Sequence, residues 1–69
     1  MIMYKLLRIY GEINSVRNLD TGACIPFDPD NADYENFKAQ INDESAQLED
    51  ADGVLMTPDE AKAYVATLP

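Results

Sequence analysis

Apolar residues fill positions 2–10 of the chain (IMYKLLRIY) and fall on both sides of an extended backbone. Taking alternate positions, one face carries Ile2, Tyr4, Leu6, Arg8 and Tyr10, and the other Met3, Lys5, Leu7 and Ile9. A strand that is apolar on both faces belongs in an interior covered on two sides, or covered on one side by a partner. Gly11 breaks the run, and residues 12–18 (EINSVRN) predict a second, more polar strand. Leu19-Asp20-Thr21-Gly22 reads as a tight turn, with Gly22 available for a positive φ. Ala23 to Phe27 makes a third strand, so the first 27 residues predict a three-stranded antiparallel meander.

Pro26, Asp28 and Pro29 stop that strand, because proline gives no donor to a ladder. The period then changes. Tyr34, Phe37, Ile41 and Leu48 recur at spacings of 3, 4 and 7, with Ser45 as a gap, and predict a helix from about Asn31 to Leu48. Asp30 or Asn31 can cap it, and Asp33 and Glu35 sit near the positive end of its dipole. Asp52-Gly53 signals a turn, and Val54-Leu55-Met56 is a short apolar stretch suited to an edge strand. Thr57-Pro58-Asp59-Glu60 is a capping box with proline at the first helical position. Ala61, Tyr64, Val65 and Leu68 carry the apolar face of the helix it opens. The fold class expected is α+β: one domain over residues 1–69, with a three-stranded antiparallel meander followed by two helices packed on the sheet.

Length limits the function. A chain of 69 residues leaves no room for a two-domain enzyme or a deep cleft, and its core supplies roughly 3–5 kcal/mol. The single cysteine, Cys24, forms no internal disulfide and reads as a small buried hydrophobe in a strand. Without histidine or a second thiol there is no zinc set, and a nucleophile would have only lysines as bases. The three glycines are scattered, so no phosphate loop is present. A calcium loop begun at Asp28 meets Ala32 and Ala39 where ligands belong; one begun at Asp50 meets Val54 and Ala61. The reading is therefore non-enzymatic, with no catalytic, cofactor or metal residues and no cofactor. Charges at positions 5 and 8 interrupt the N-terminal apolar run, which suits neither a signal peptide nor a membrane span.

The net charge of −8 is unevenly distributed. Residues 1–27 carry +1, and residues 28–69 carry −9. Such a surplus argues against direct nucleic-acid binding. It offers a candidate acidic patch at Asp43, Glu44, Glu49, Asp50 and Asp52, which could present carboxylates to a basic protein. On the expected helix these acids point in several directions, which favours a solvated face. The apolar N-terminal strand gives the other candidate surface, Tyr4, Leu6, Leu7 and Ile9. If the two helices cover only one side of it, the other side invites an oligomer or a partner.

Residues 19–37 (LDTGACIPFDPDNADYENF) combine a glycine turn, a strand ending Ile-Pro-x-Asp, and Asn-x-Asp-Tyr with an aromatic three residues on. The pattern resembles a segment recurrent in bacteriophage-encoded proteins, both tail or virion-associated and of unassigned role. The matching residues are Gly22, Ile25, Pro26, Asp28, Asn31, Asp33, Tyr34 and Phe37, over 19 of 69 residues. Beyond Phe37 the chain departs from the pattern, with Ile41 near the place of a tryptophan and no Gly-Asn ending. The resemblance implies a small phage protein that binds another protein as a virion-associated structural or accessory component. The alternative is an acidic inhibitor of a host defence or nucleic-acid-binding protein. The partner expected is a phage structural protein, a host protein or a second copy. The place expected is the host cytoplasm during synthesis, or the virion.

Overall fold

The computed structural model describes all 69 residues. Three strands follow the expected order: β1 (Ile2–Ile9), β2 (Glu12–Asn18) and β3 (Cys24–Pro26). Tyr10 and Gly11 join β1 to β2 with φ of 52° and 77°, the pair of positive values that a two-residue hairpin turn of type I′ requires. The antiparallel register runs from Tyr4 opposite Asn18 to Ile9 opposite Glu12 and passes over Asn14, which forms a bulge in β2. β3 pairs antiparallel with β2 through Val16 and Ile25.

The first helix, α1, spans Ala32–Asn42 and is shorter than its apolar spacing predicts. Asn31 caps it, its side chain accepting from the N–H groups of Asp33 and Tyr34. The C-terminus is a complete Schellman motif: Ser45 N–H donates to Gln40 O at 3.0 Å and Glu44 N–H to Ile41 O at 3.2 Å. Glu44 holds the left-handed position with φ 62°, and the Asp43 carboxylate accepts from Ser45 N–H at 2.9 Å. The chain therefore turns at 43–45 and extends again as β4 (Ala46–Glu49). β4 lies parallel to β1, with Ala46 beside Ile2 and Leu48 beside Tyr4. This corrects the expected architecture: the α+β class stands, but the sheet is four-stranded and mixed, in the order β3-β2-β1-β4. Leu48, placed on a helix by its spacing from Ile41, is fully buried on that fourth strand.

Beyond β4, Asp50 accepts from the N–H groups of Asp52 and Val54, closing a turn that brings Leu55 beside Glu49. Met56 N–H donates to Leu48 O, so this segment lies along the outer edge of β4. The opposite edge, β3, has three residues and ends in proline. The second helix, α2, spans Pro58–Val65 and carries the expected capping box, with both reciprocal bonds formed at 3.2 and 3.0 Å.

One core results. Tyr4, Leu6, Val16, Ile25, Ala46 and Leu48 rise from one face of the sheet against Tyr34, Phe37 and Ile41 of α1 and Ala61 and Val65 of α2. Phe37 packs edge-on to Tyr4, with ring centroids 4.9 Å apart. Tyr34 donates its hydroxyl to Pro69 O at 2.8 Å, and Lys38 sits 4.5 Å over the Tyr34 ring. Both helices lie on this face, and no helix covers the other. No helix is long and apolar enough to cross a membrane.

Candidate protein-binding face

Strand alternation divides the four apolar residues of the candidate surface. Tyr4 and Leu6 point inward, each 3% exposed, and are used by the protein's own core. Leu7 is half-buried and Ile9 is 56% exposed, and these two lie on the uncovered side. The surface open to a partner is therefore the odd-numbered face of β1 and its neighbours. Across its centre the registers align Leu55, Glu49, Lys5, Arg17 and Cys24 in one row. On one side of this row lie Met3 and Gln47, and on the other Leu7, Ser15 and Pro26.

Cys24 is exposed, contrary to the buried role its strand-like context suggests. Ile25 takes the inward place on β3, so its neighbours must face out, and Arg17 Nη2 reaches the Cys24 Sγ at 3.5 Å. Elsewhere on the surface the hairpin tip carries fully exposed Tyr10, and the 50s turn carries Val54 and Leu55, both more than half exposed. An ion pair between Arg8 and Asp52 at 3.3 Å ties the turn to β1 on the helix-bearing side, while Leu55, beside Glu49, lies at the β4 margin of the open face. Sequence reasoning could not place Leu55 there, because only the turn after β4 brings it beside Glu49.

The acidic patch does not assemble as a free surface. Asp50 closes its turn, Asp52 pairs with Arg8, and Glu44 pairs with Lys62 at 3.0 Å. Asp43 is held below the usual carboxylate range by Ser45, through its hydroxyl and its backbone N–H. Glu49 lies on the open sheet face, beside Lys5 in the register. The residues of the 19–37 segment have structural places. Gly22 takes φ 79°, Ile25, Tyr34 and Phe37 are core, Pro26 ends β3, and Asn31 caps α1 with Asp33 in its first turn. Asp28 closes a local turn by accepting from Asp30 N–H at 3.0 Å.

A second feature lies on the helix-bearing side. Asp33, Asn36 and Gln40, at i, i+3 and i+7 of α1, line an open pocket of about 270 Å³ against the β2–β3 turn. Their spacing is legible in the sequence, but the facing wall is not. No protein-family model matches the chain, and no curated protein or solved structure matches it.

Proposed function

We propose that this chain is a small non-enzymatic bacteriophage protein that binds another protein through the uncovered face of its sheet, as a virion-associated structural or accessory component. One observation carries the binding part of the reading: both helices pack on the same side, leaving half-buried Met3 and Leu7 and exposed Ile9 on a face that no helix covers. The phage part rests on the resemblance of residues 19–37. The charge on the open face selects the partner. Lys5 and Arg17 occupy its centre with Glu49 as the one acid in their row, so the partner is a protein surface that is apolar with acidic groups opposite that row. The decoy reading draws less support, because most of its carboxylates already hold turns or ion pairs.

Mass spectrometry of purified particles of the encoding phage tests this. The wild-type chain is expected at fixed stoichiometry, and a Leu7→Glu variant with unchanged circular dichroism is expected to be lost from the particles. Absence of the wild-type chain, or equal incorporation of the variant, would sink the reading.

A further inference from the structure

We infer that the pocket between α1 and the β2–β3 turn binds a cationic side chain, the ammonium of a lysine or the guanidinium of an arginine carried on its apolar stem. The site lies on the opposite side of the sheet from the proposed docking face and stands independently of it.

Size comes first. At about 270 Å³ the pocket falls just below the range of roughly 300–1,000 Å³ that holds drug-sized ligands. That suits a single side chain better than a nucleotide or sugar. Its apolar lining comes from Ile2, Ala23 and Ile25; on the α1 wall stand Asp33, Asn36 and Gln40, opposite the polar turn residues Asn18 and Thr21, and Asp33 is the one charged group of the lining. An apolar lining with a carboxylate on one wall matches a methylene stem ending in a cation.

Charge decides the sign of the ligand. Asp33 has no ion-pair partner, and every basic side chain is placed elsewhere. Arg8, Lys38 and Lys62 pair with Asp52, Glu35 and Glu44, while Lys5 and Arg17 lie on the far face of the sheet. Asp20 adds a second negative charge close enough to be felt: burial first, then Asp33 and Asp20, raise the Tyr4 hydroxyl above its ordinary value.

Hydrogen bonding points the same way. The buried Tyr4 hydroxyl spends its proton on Gln40 Oε1, so toward the pocket it offers only lone pairs. Asn36 makes no side-chain hydrogen bond within the protein, so its carbonyl is open to a donor. An ammonium or guanidinium, which has donors only, meets these acceptors; a carboxylate or phosphate would meet Asp33.

The test is a two-dimensional NMR titration of the ¹⁵N-labelled full chain with N-acetyl-lysine methylamide and its arginine counterpart. The norleucine counterpart serves as an uncharged control with the same stem. The lysine and arginine probes are expected to shift the side-chain amides of Asn36 and Gln40 and the backbone amide of Ala23. Saturation is expected at roughly millimolar probe, the range of a single weakly held side chain. The norleucine probe is expected to leave these signals in place. Asp33→Asn should weaken binding about threefold or more, the scale of one partly solvated ion pair. Ala23→Leu, which fills the apolar lining, should abolish it while the remaining spectrum reports an intact fold. Equal binding of norleucine, an unchanged affinity in Asp33→Asn, shifts scattered over remote carboxylates, or no saturation by about 50 mM would each overturn the inference.

Discussion

Whether residues 43–49 turn and extend, or continue as helix to Leu48, can be decided at Glu44. The structure puts this residue at φ 62°, in the C′ position of a Schellman motif where glycine is the ordinary occupant. A side chain there costs roughly 1–2 kcal/mol through its Cβ. Glycine removes that cost and gives back about 0.5–1 kcal/mol through the greater freedom of the unfolded chain. Glu44 also pairs with Lys62, with side-chain exposures of 57% and 35%, so the pair contributes at most about 1 kcal/mol. Comparing Glu44→Gly with Glu44→Ala cancels that ion pair, since both lose it. Glycine should be the more stable by about 0.5–1 kcal/mol, which at this chain length is a rise in Tm of roughly 4–8 °C per kcal/mol. In a continuous helix the order inverts, with alanine favoured by about 1 kcal/mol. Urea and thermal denaturation followed by circular dichroism read the difference directly. If the alanine variant is equal or better, the turn and β4 do not exist as described.

Two further outcomes follow from the core and from the cap of α2. Phe37→Ala removes a fully buried ring from between the sheet and α1, at a cost of about 3–5 kcal/mol. That equals what a core of this size supplies, roughly 3–5 kcal/mol, so the variant should lose its cooperative unfolding transition; retention of a sharp transition near the wild-type midpoint would refute the packing. The Glu60 carboxyl is held below its ordinary range by the Thr57 backbone N–H and then by the Thr57 side chain. A depressed folded value gives stability that is present above the unfolded value, near 4.5, and lost as pH falls through the folded one. Glu60→Gln should therefore lose less stability than wild type between neutral pH and about pH 3, measured as urea midpoints. An identical loss in both proteins would count against the cap.

The elements that could be read from the sequence are those specified by neighbours in the chain. The capping box, Thr57 to Glu60, is complete within four residues, and α2 begins where it says. The meander is likewise local, with Gly11 and Gly22 at its turns and the β-rich runs between them. β4 was hidden because Ala46-Gln47-Leu48-Glu49 has only two apolar residues, and Leu48 also fits a helical stripe through Ile41. What makes it a strand is a parallel partner more than forty positions away, which no local period encodes. The Asx turn of Asp43 onto Ser45 was the available signal, but acids and serine also suit a fraying helix end. The candidate surface was half legible for a related reason. Both faces of β1 are apolar, so alternation separates Tyr4 and Leu6 from Leu7 and Ile9 without saying which pair the helices cover.

The parallel pairing of β4 also sets an order of events during synthesis. β1 precedes the other strands in the chain yet ends as an inner strand, with its second neighbour among residues 46–49. The β1–β2 hairpin can close early, because its turn has two residues. From then until Glu49 leaves the ribosome, the backbone of Ile2 to Lys5 keeps an unpaired rim beside apolar side chains. A nascent chain stalled in that interval is a template for strand addition, and only the arrival of Ala46 to Glu49 closes it.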